Sequence, residues 1–336
     1  MSPPRILAVR FSSMGDVILV TPLLRALRAR HPDAFIAVAT KRPFAPLLEH
    51  NPRIDRLHVL GDDSSLANYA AGLRAERFTH LLDLHGSLRS RMLRALVPGR
   101  WSGYPKYRIA RALLIRTKHD RYRAHVHVAE RYFAAAEDLD VRPDGLPPEV
   151  IPGPTAQAQA DAWLHRHGLS DRPAAFAIAP GAAHATKRWP VEHWRALVRA
   201  LLIDGHRVVI LGGPADVPLA RAVADGFSRQ IVSAAGQFGL LGTAALLARC
   251  RGLVSGDTGV MHLATAVGTP VVALFGPTVE QFGFYPYKGD AIVLERRLDC
   301  RPCSSHGGPT CPLGHHRCMV EIGPVEVETV LRPLAR

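Results

Sequence analysis

The sequence predicts an α/β protein of two doubly wound domains in tandem, and three observations carry that expectation. Short apolar runs rich in strand formers alternate with helical stretches along most of the chain, the pattern of a parallel sheet covered by helices. A Pro/Gly break, Ile151-Pro-Gly-Pro154, divides the alternation into two series. The length, 336 residues, is close to two domains of about 150 residues each.

Arg5-Ile-Leu-Ala-Val-Arg-Phe11 reads as the first strand, Ser12-Ser-Met-Gly-Asp16 as a turn, and the amphipathic stretch to about Arg30 as a helix. Ala34 to Thr40, Ile54 to Leu60 and His80 to Gly86 read as further strands. Beyond the break, strands are expected at Ala174 to Ala179, Arg207 to Gly212, Ile231 to Ala234, Gly252 to Ser255 and Pro270 to Phe275. Helices are expected near Leu197, Ala222, Leu246 and Ala264. The expected domains are 1–152 and 153–322, and the closing segment 323–336, containing the helical Val325 to Leu331, is expected to pack back on the first. Ligands of such folds sit at the carboxyl ends of the strands, here in a cleft between the domains.

Hydrophobic content of 47% with 21% charged residues fits a soluble globular chain rather than a disordered one. No apolar run approaches the roughly 18 to 20 residues that span a bilayer, and Arg10 ends the first apolar run, so a cytoplasmic protein is expected. A net charge of +13 calls for an anionic partner, or else reflects a basic solubilising surface. From Arg89 to Arg123 there are eleven Lys and Arg against one acid, Asp120, interleaved with Leu93, Leu96, Trp101, Leu113 and Ile115. Such a stretch suits an anionic membrane surface or acidic sugars and lipid phosphates. Nucleic acid is disfavoured, because the aromatic stacking platform of single-strand binders is missing.

Four loops could carry chemistry. Gly15-Asp16 follows the first strand and opens the first helix; Asp16 is either a general base at the sheet edge or a helix-terminal carboxylate. Ser13, Met14 and Gly15 of the same turn, with Arg89 and Arg91, are the acceptor-binding candidates. Gly181, Thr186, Lys187 and Arg188 gather before a helix expected to start at Pro190, where Lys187 offers a point charge and Arg188 a fork to phosphate. Asp257, Thr258 and Gly259 open another helix, a terminus that attracts diphosphate through its free N–H groups, and His262 lies one turn on. The fourth loop, Leu211-Gly-Gly-Pro-Ala-Asp216, suits close approach of a ribose or base, or is an ordinary sheet turn. The D-x-D at Asp138-Leu-Asp140 is set aside as a metal-nucleotide site because it ends a helix with no turn chemistry around it.

Five cysteines without a signal peptide argue against a disulfide framework. Cys300, Cys303, Cys311 and Cys318 give C-x2-C-x7-C-x6-C, read either as a structural zinc site or as unligated thiols; the second C-x2-C of a zinc ribbon is missing.

In order, these stretches resemble glycosyltransferase family 9, the ADP-heptose:lipopolysaccharide heptosyltransferases, over nearly the whole chain. The likeness rests on Arg5-Ile-Leu-Ala-Val-Arg-Phe-Ser-Ser-Met-Gly-Asp-Val17, Lys187-Arg-Trp-Pro-Val-Glu-His-Trp194, Gly256-Asp-Thr-Gly-Val-Met-His262 and Phe275-Gly-Pro-Thr278. Cys311-Pro-Leu-Gly-His-His-Arg-Cys-Met319 is similar to the heptosyltransferase II branch.

The resemblance implies a GT-B fold of two Rossmann-like domains, with a lipid A core acceptor on the first and ADP-heptose or a related nucleotide-sugar on the second. It implies inverting transfer at the inner face of the inner membrane. Asp16 then matches the proposed base, Lys187 the donor-phosphate lysine, and Asp257, Thr258, Gly259 and His262 the donor loop. Asp216 stands near where some relatives hold the ribose with a Glu. No cofactor is required, and magnesium is permitted. A nucleotide-sugar epimerase or hydrolase of the same architecture and a basic nucleic-acid-binding protein are the alternatives.

Overall fold

The computed structural model describes residues 3–62, 64–170, 175–227 and 230–334. Ala174, the expected start of a strand, and residues 335–336 of the closing segment lie outside them. The chain forms two compact units, Met1–Lys106 with Val128–Ile151, and Tyr107–His127 with Pro152–Arg336.

In the first unit, β1 (Arg5–Val9), β2 (Phe35–Lys41), β3 (Arg56–Leu60), β4 (His80–Asp83) and β5 (Arg100–Gly103) form a parallel sheet in the order β3-β2-β1-β4-β5. Ile6 to Val9 are fully buried, as strands covered on both faces must be. Leu7, Val9 and Phe11 pack with Ala37, Ala39, Leu73, Leu81 and Leu93. The single helix expected up to Arg30 is two, Met14–Ile18 and Thr21–Arg30. Pro22, lacking an N–H, sits in the first turn of the second, where that donor is not needed.

In the second unit, β6 (Phe176–Ala179), β7 (Val208–Ile210), β8 (Ile231–Ser233), β9 (Gly252–Gly256), β10 (Val271–Phe275) and β11 (Ala291–Glu295) form a parallel sheet in the order β11-β10-β9-β6-β7-β8. The strand order reverses between β1 and β4 in one sheet and between β6 and β9 in the other. Those two switch points are where doubly wound sheets receive ligands.

Two expectations about the domains need correction. Residues Tyr107–His127 group with the second unit although they precede the expected boundary at 152. The described part of the closing segment packs in the second unit: Val327 and Leu331 of helix Pro324–Leu334 are fully buried in that unit's core beside Trp194, Leu197 and Met319. The i, i+4 spacing of Val327 and Leu331, with Val330 and Leu334 partly buried beside them, supplies the face that is buried there.

Candidate active site

At the first switch point, Arg10 directly follows β1 and Asp16 lies in the short helix Met14–Ile18. The Asp16 carboxylate reaches back to the turn that starts its helix. Its Oδ2 accepts from the Ser13 N–H at 3.2 Å and from the Ser13 hydroxyl at 2.8 Å, one arm of a capping box. The same oxygen pairs with the Arg10 guanidinium at 2.6 Å. Arg10 also donates to the Leu84 carbonyl at 2.5 Å and to the Tyr104 hydroxyl at 3.3 Å, which ties the end of β1 to the ends of β4 and β5.

Oδ1 of Asp16 receives one long bond, 3.4 Å from the Tyr132 hydroxyl, so among the described residues it keeps proton-accepting capacity. Burial pushes the Asp16 carboxyl up, but the charge of Arg10 and the Ser13 hydrogen bonds outweigh it and hold the group below the usual carboxylate value. Burial raises the Tyr132 phenol, which keeps it a donor. The helix-terminal role of Asp16 and its place at a strand's carboxyl end therefore coexist.

His85, in the loop after β4, is a neighbour that sequence reasoning did not single out. Burial, together with Arg10 and Lys106, lowers its imidazole to about 4, so the ring is neutral at physiological pH. Asp83 holds that loop: its Oδ1 accepts the N–H groups of His85 at 3.1 Å and Gly86 at 2.7 Å. Asp83 is thus a buried, satisfied structural carboxylate.

At the second switch point the loops after β6 and β9 meet. Lys187 Nζ pairs with Asp257 Oδ2 at 2.6 Å and donates to the Asp257 carbonyl at 3.3 Å, and the Thr278 hydroxyl donates to the same Oδ2 at 2.7 Å. Gly256 is needed because a Cβ there would come within 2.8 Å of the Lys187 carbonyl. Trp189 and Trp194 anchor the Lys187 loop. They are buried against each other at 4.9 Å, and the Trp189 indole donates to the Ile322 carbonyl at 2.9 Å.

Thr258, in extended conformation, precedes helix Gly259–Ala266, and its side chain makes no cap hydrogen bond to the first turn. The opening turn of that helix stands next to the Lys187–Asp257 pair. Asp216 fills the space over Gly181, where a Cβ would lie 2.1 Å from its Oδ1, and accepts the Gly213 N–H at 2.9 Å.

Several candidates sit differently from expectation. Arg188 donates to the Ala182 carbonyl at 3.0 and 2.8 Å and braces its own loop instead of presenting a fork. The Thr186 hydroxyl is buried, accepting from the Gly308 N–H at 2.8 Å, so it fastens the 304–308 segment. His262 is only 4% exposed. Pro190 is the residue before the helix, which runs Val191–Ile203. Asp138 and Asp140, set aside above as a site, pair separately with Arg100 and Arg30 at the surface.

Ser13 is exposed, Met14 partly exposed and Gly15 buried in the Asp16 turn. Arg89 and Arg91 are exposed on helix Leu88–Leu96. Cys300, Cys303, Cys311 and Cys318 are free thiols, and burial pushes Cys318 up to about 11. Among the described residues no three His, Cys, Asp or Glu side chains gather as a metal site.

Besides His85, sequence reasoning missed Arg10 and Tyr132 as partners of Asp16. A buried charge directly after an apolar, doubly covered strand was the signal for Arg10. Tyr132 left none, since it reaches Asp16 across 116 residues of chain.

The model of glycosyltransferase family 9 (heptosyltransferase) matches residues 67–312. Over 341 aligned residues the chain is 26% identical to lipooligosaccharide heptosyltransferase 2 of Haemophilus influenzae, covering 95% of this chain and 96% of that one. It is 27% identical to lipopolysaccharide heptosyltransferase 2 of Escherichia coli, covering 98% of each. Among solved structures, a family 9 glycosyl transferase of Veillonella parvula aligns with TM-score 0.76 at 27% identity, covering 88% of this chain and 87% of that one. The E. coli ADP-heptose heptosyltransferase II aligns with TM-score 0.76 at 25% identity, covering 98% of each.

Proposed function

The chain belongs to glycosyltransferase family 9, and on that premise we propose that it transfers heptose from ADP-heptose to the inner core of lipopolysaccharide, at the cytoplasmic face of an anionic membrane. The observation that carries the reading is a carboxylate held ionised at the switch point of the first sheet, with one oxygen left to accept a proton.

Asp16 Oδ1 takes the proton of the acceptor hydroxyl while that oxygen bonds to the anomeric carbon. The bond from that carbon to the diphosphate breaks, and ADP leaves with the electron pair, so the configuration inverts. The depressed Asp16 value keeps the base deprotonated at neutral pH but makes it weak. Proton transfer is therefore late, when bonding to carbon has made the hydroxyl acidic. On the donor side, Lys187 exchanges Asp257 for the diphosphate, and the N–H groups that open helix Gly259–Ala266 take up the charge growing on the leaving group. These groups supply the positive charge, so the reading requires no metal; turnover that persists in a chelator checks this.

The deciding assay incubates the purified protein with ADP-heptose and other nucleotide-sugars, with and without heptose-terminated core lipid, and weighs the products. One added heptose on the lipid, with ADP released only when acceptor is present, is the expected result. Donor consumed at full rate without acceptor would replace transfer by hydrolysis, if ADP and free sugar appear, or by epimerisation, if an isomeric nucleotide-sugar does.

A further inference from the structure

The basic stretch is only partly absorbed by the site. Residues 88–117 carry eight Lys and Arg and no Asp or Glu. In the first unit, helix Leu88–Leu96 opens straight after the β4 loop, with the Ser87 hydroxyl accepting the Ser90 N–H at 3.3 Å. Its inner side buries Ser90 and Leu93. Its outer side presents Leu88 and Met92, 76% and 51% exposed and one helical turn apart, between the exposed Arg89, Arg91 and Arg94.

Helix Arg108–Thr117 of the second unit repeats the arrangement. Leu114 is buried and the Arg111 guanidinium lies 5.2 Å from the Phe282 ring, while Ile109 and Leu113, 78% and 40% exposed, stand one turn apart beside the exposed Arg108 and Arg116. Single exposed apolar side chains are ordinary, but two helices that each expose an aliphatic pair among arginines, with no Asp or Glu of their own and Asp83 buried beneath Arg94 at 4.0 Å, are not a generic solvated surface.

We propose that each of these helices is a docking element for an anionic lipid bilayer, its two aliphatic side chains entering the headgroup boundary and its arginines meeting lipid phosphates. A basic helix with a narrow apolar face lies in the interface plane for this reason: apolar burial and charge attraction act on the same segment. Nucleic acid would satisfy the arginines but leave the aliphatic pairs in water, since neither holds an aromatic side chain to stack on bases. Among the described residues no helix is long and apolar enough to cross a membrane, so surface docking is the mode the helices support. The inference deepens the proposed function by naming how a lipid-embedded acceptor is approached, but the binding needs neither donor nor acceptor to be read.

The test sediments the full chain with vesicles of phosphatidylcholine alone and of phosphatidylcholine with phosphatidylglycerol. The wild type should pellet with the anionic vesicles, less so as salt rises. Leu88→Ser with Met92→Ser, and separately Ile109→Ser with Leu113→Ser, should each lower the partition about tenfold. Both variants should keep the wild-type melting temperature, because the side chains are exposed, and full turnover on a delipidated acceptor fragment.

Equal pelleting by the two vesicle types, or undiminished pelleting of both variants, overturns the proposal. So does finding that the substitutions abolish self-association or oligonucleotide binding and leave vesicle binding intact. Vesicle binding without heptose transfer would strike the chemistry alone, and transfer without vesicle preference the docking alone.

Discussion

At the switch point of the first sheet the opposite charges are Arg10 and Asp16; at that of the second they are Lys187 and Asp257. Both pairs close to 2.6 Å and both are largely withdrawn from water, yet they are built in reverse. In the first, the anion is the proposed reacting group, and the arginine is fixed by two further acceptors, Leu84 and Tyr104. In the second, the cation is the proposed reacting group, and the aspartate is fixed by Thr278. A base must stay where it is while its proton arrives, whereas a phosphate ligand must change partners when the donor enters. A bidentate-capable guanidinium suits the first task and a compact, rotatable ammonium the second.

The largest effect should come from breaking the first pair. Arg10→Leu leaves a buried carboxylate uncompensated and should cost about 3 to 5 kcal/mol, read from urea unfolding. The pH dependence should change sign with it. In the native chain the Asp16 value is depressed, so its contribution to stability is present above the ordinary carboxylate value of about 3.9 and is lost as pH falls through the lower folded value. In Arg10→Leu burial acts with less opposition, the value rises, and stability is lost as pH climbs through it. An unchanged acid limb in the variant would mean that Arg10 does not set the charge state of Asp16.

Asp16→Asn sharpens the same half from the side of chemistry: turnover should fall about a hundredfold or more while calorimetric ADP affinity stays near normal. Normal turnover would remove Asp16 from the reaction. Lys187→Ala should be smaller and of the opposite kind, weakening ADP binding about tenfold, the scale of one charge-assisted hydrogen bond. The placeholder role of Asp257 adds a second expectation. Asp257→Asn should bind ADP at least as tightly as the parent, because the lysine no longer has to leave a carboxylate. Weaker binding in that variant would make Asp257 a direct donor ligand instead.

The same contrast decides what could be read from sequence. Asp16 was legible because strand, turn, glycine, carboxylate and helix follow one another within a few residues, so local chemistry implies position. The Lys187–Asp257 pair joins residues 70 apart, and only the sheet order, which brings β6 beside β9, makes them neighbours. Reading each loop alone assigned both residues to one ligand and missed that they bind each other. Arg188 and Thr186 were misjudged for the same reason, since their partners, the Ala182 and Gly308 backbones, are set by how the loop folds.

Most strands were evident from their apolar runs. β5, Arg-Trp-Ser-Gly, was not, because an edge strand that short carries no alternation. β11, Ala-Ile-Val-Leu-Glu, did carry an apolar signal that the sequence reading passed over.

The polypeptide passes from one unit to the other three times, after Lys106, His127 and Ile151. A single protease nick at the Pro/Gly break would therefore not free two independent halves. The N-terminal fragment would carry off Tyr107–His127, and with it Lys118, which donates to the Pro302 carbonyl at 2.7 Å, and His127, bonded to the Tyr285 carbonyl at 2.8 Å. Expressed without that excursion, the C-terminal fragment would lack a piece of its own surface. Dissecting this enzyme into working parts calls for a graft that restores those twenty-odd residues, not a shorter gene.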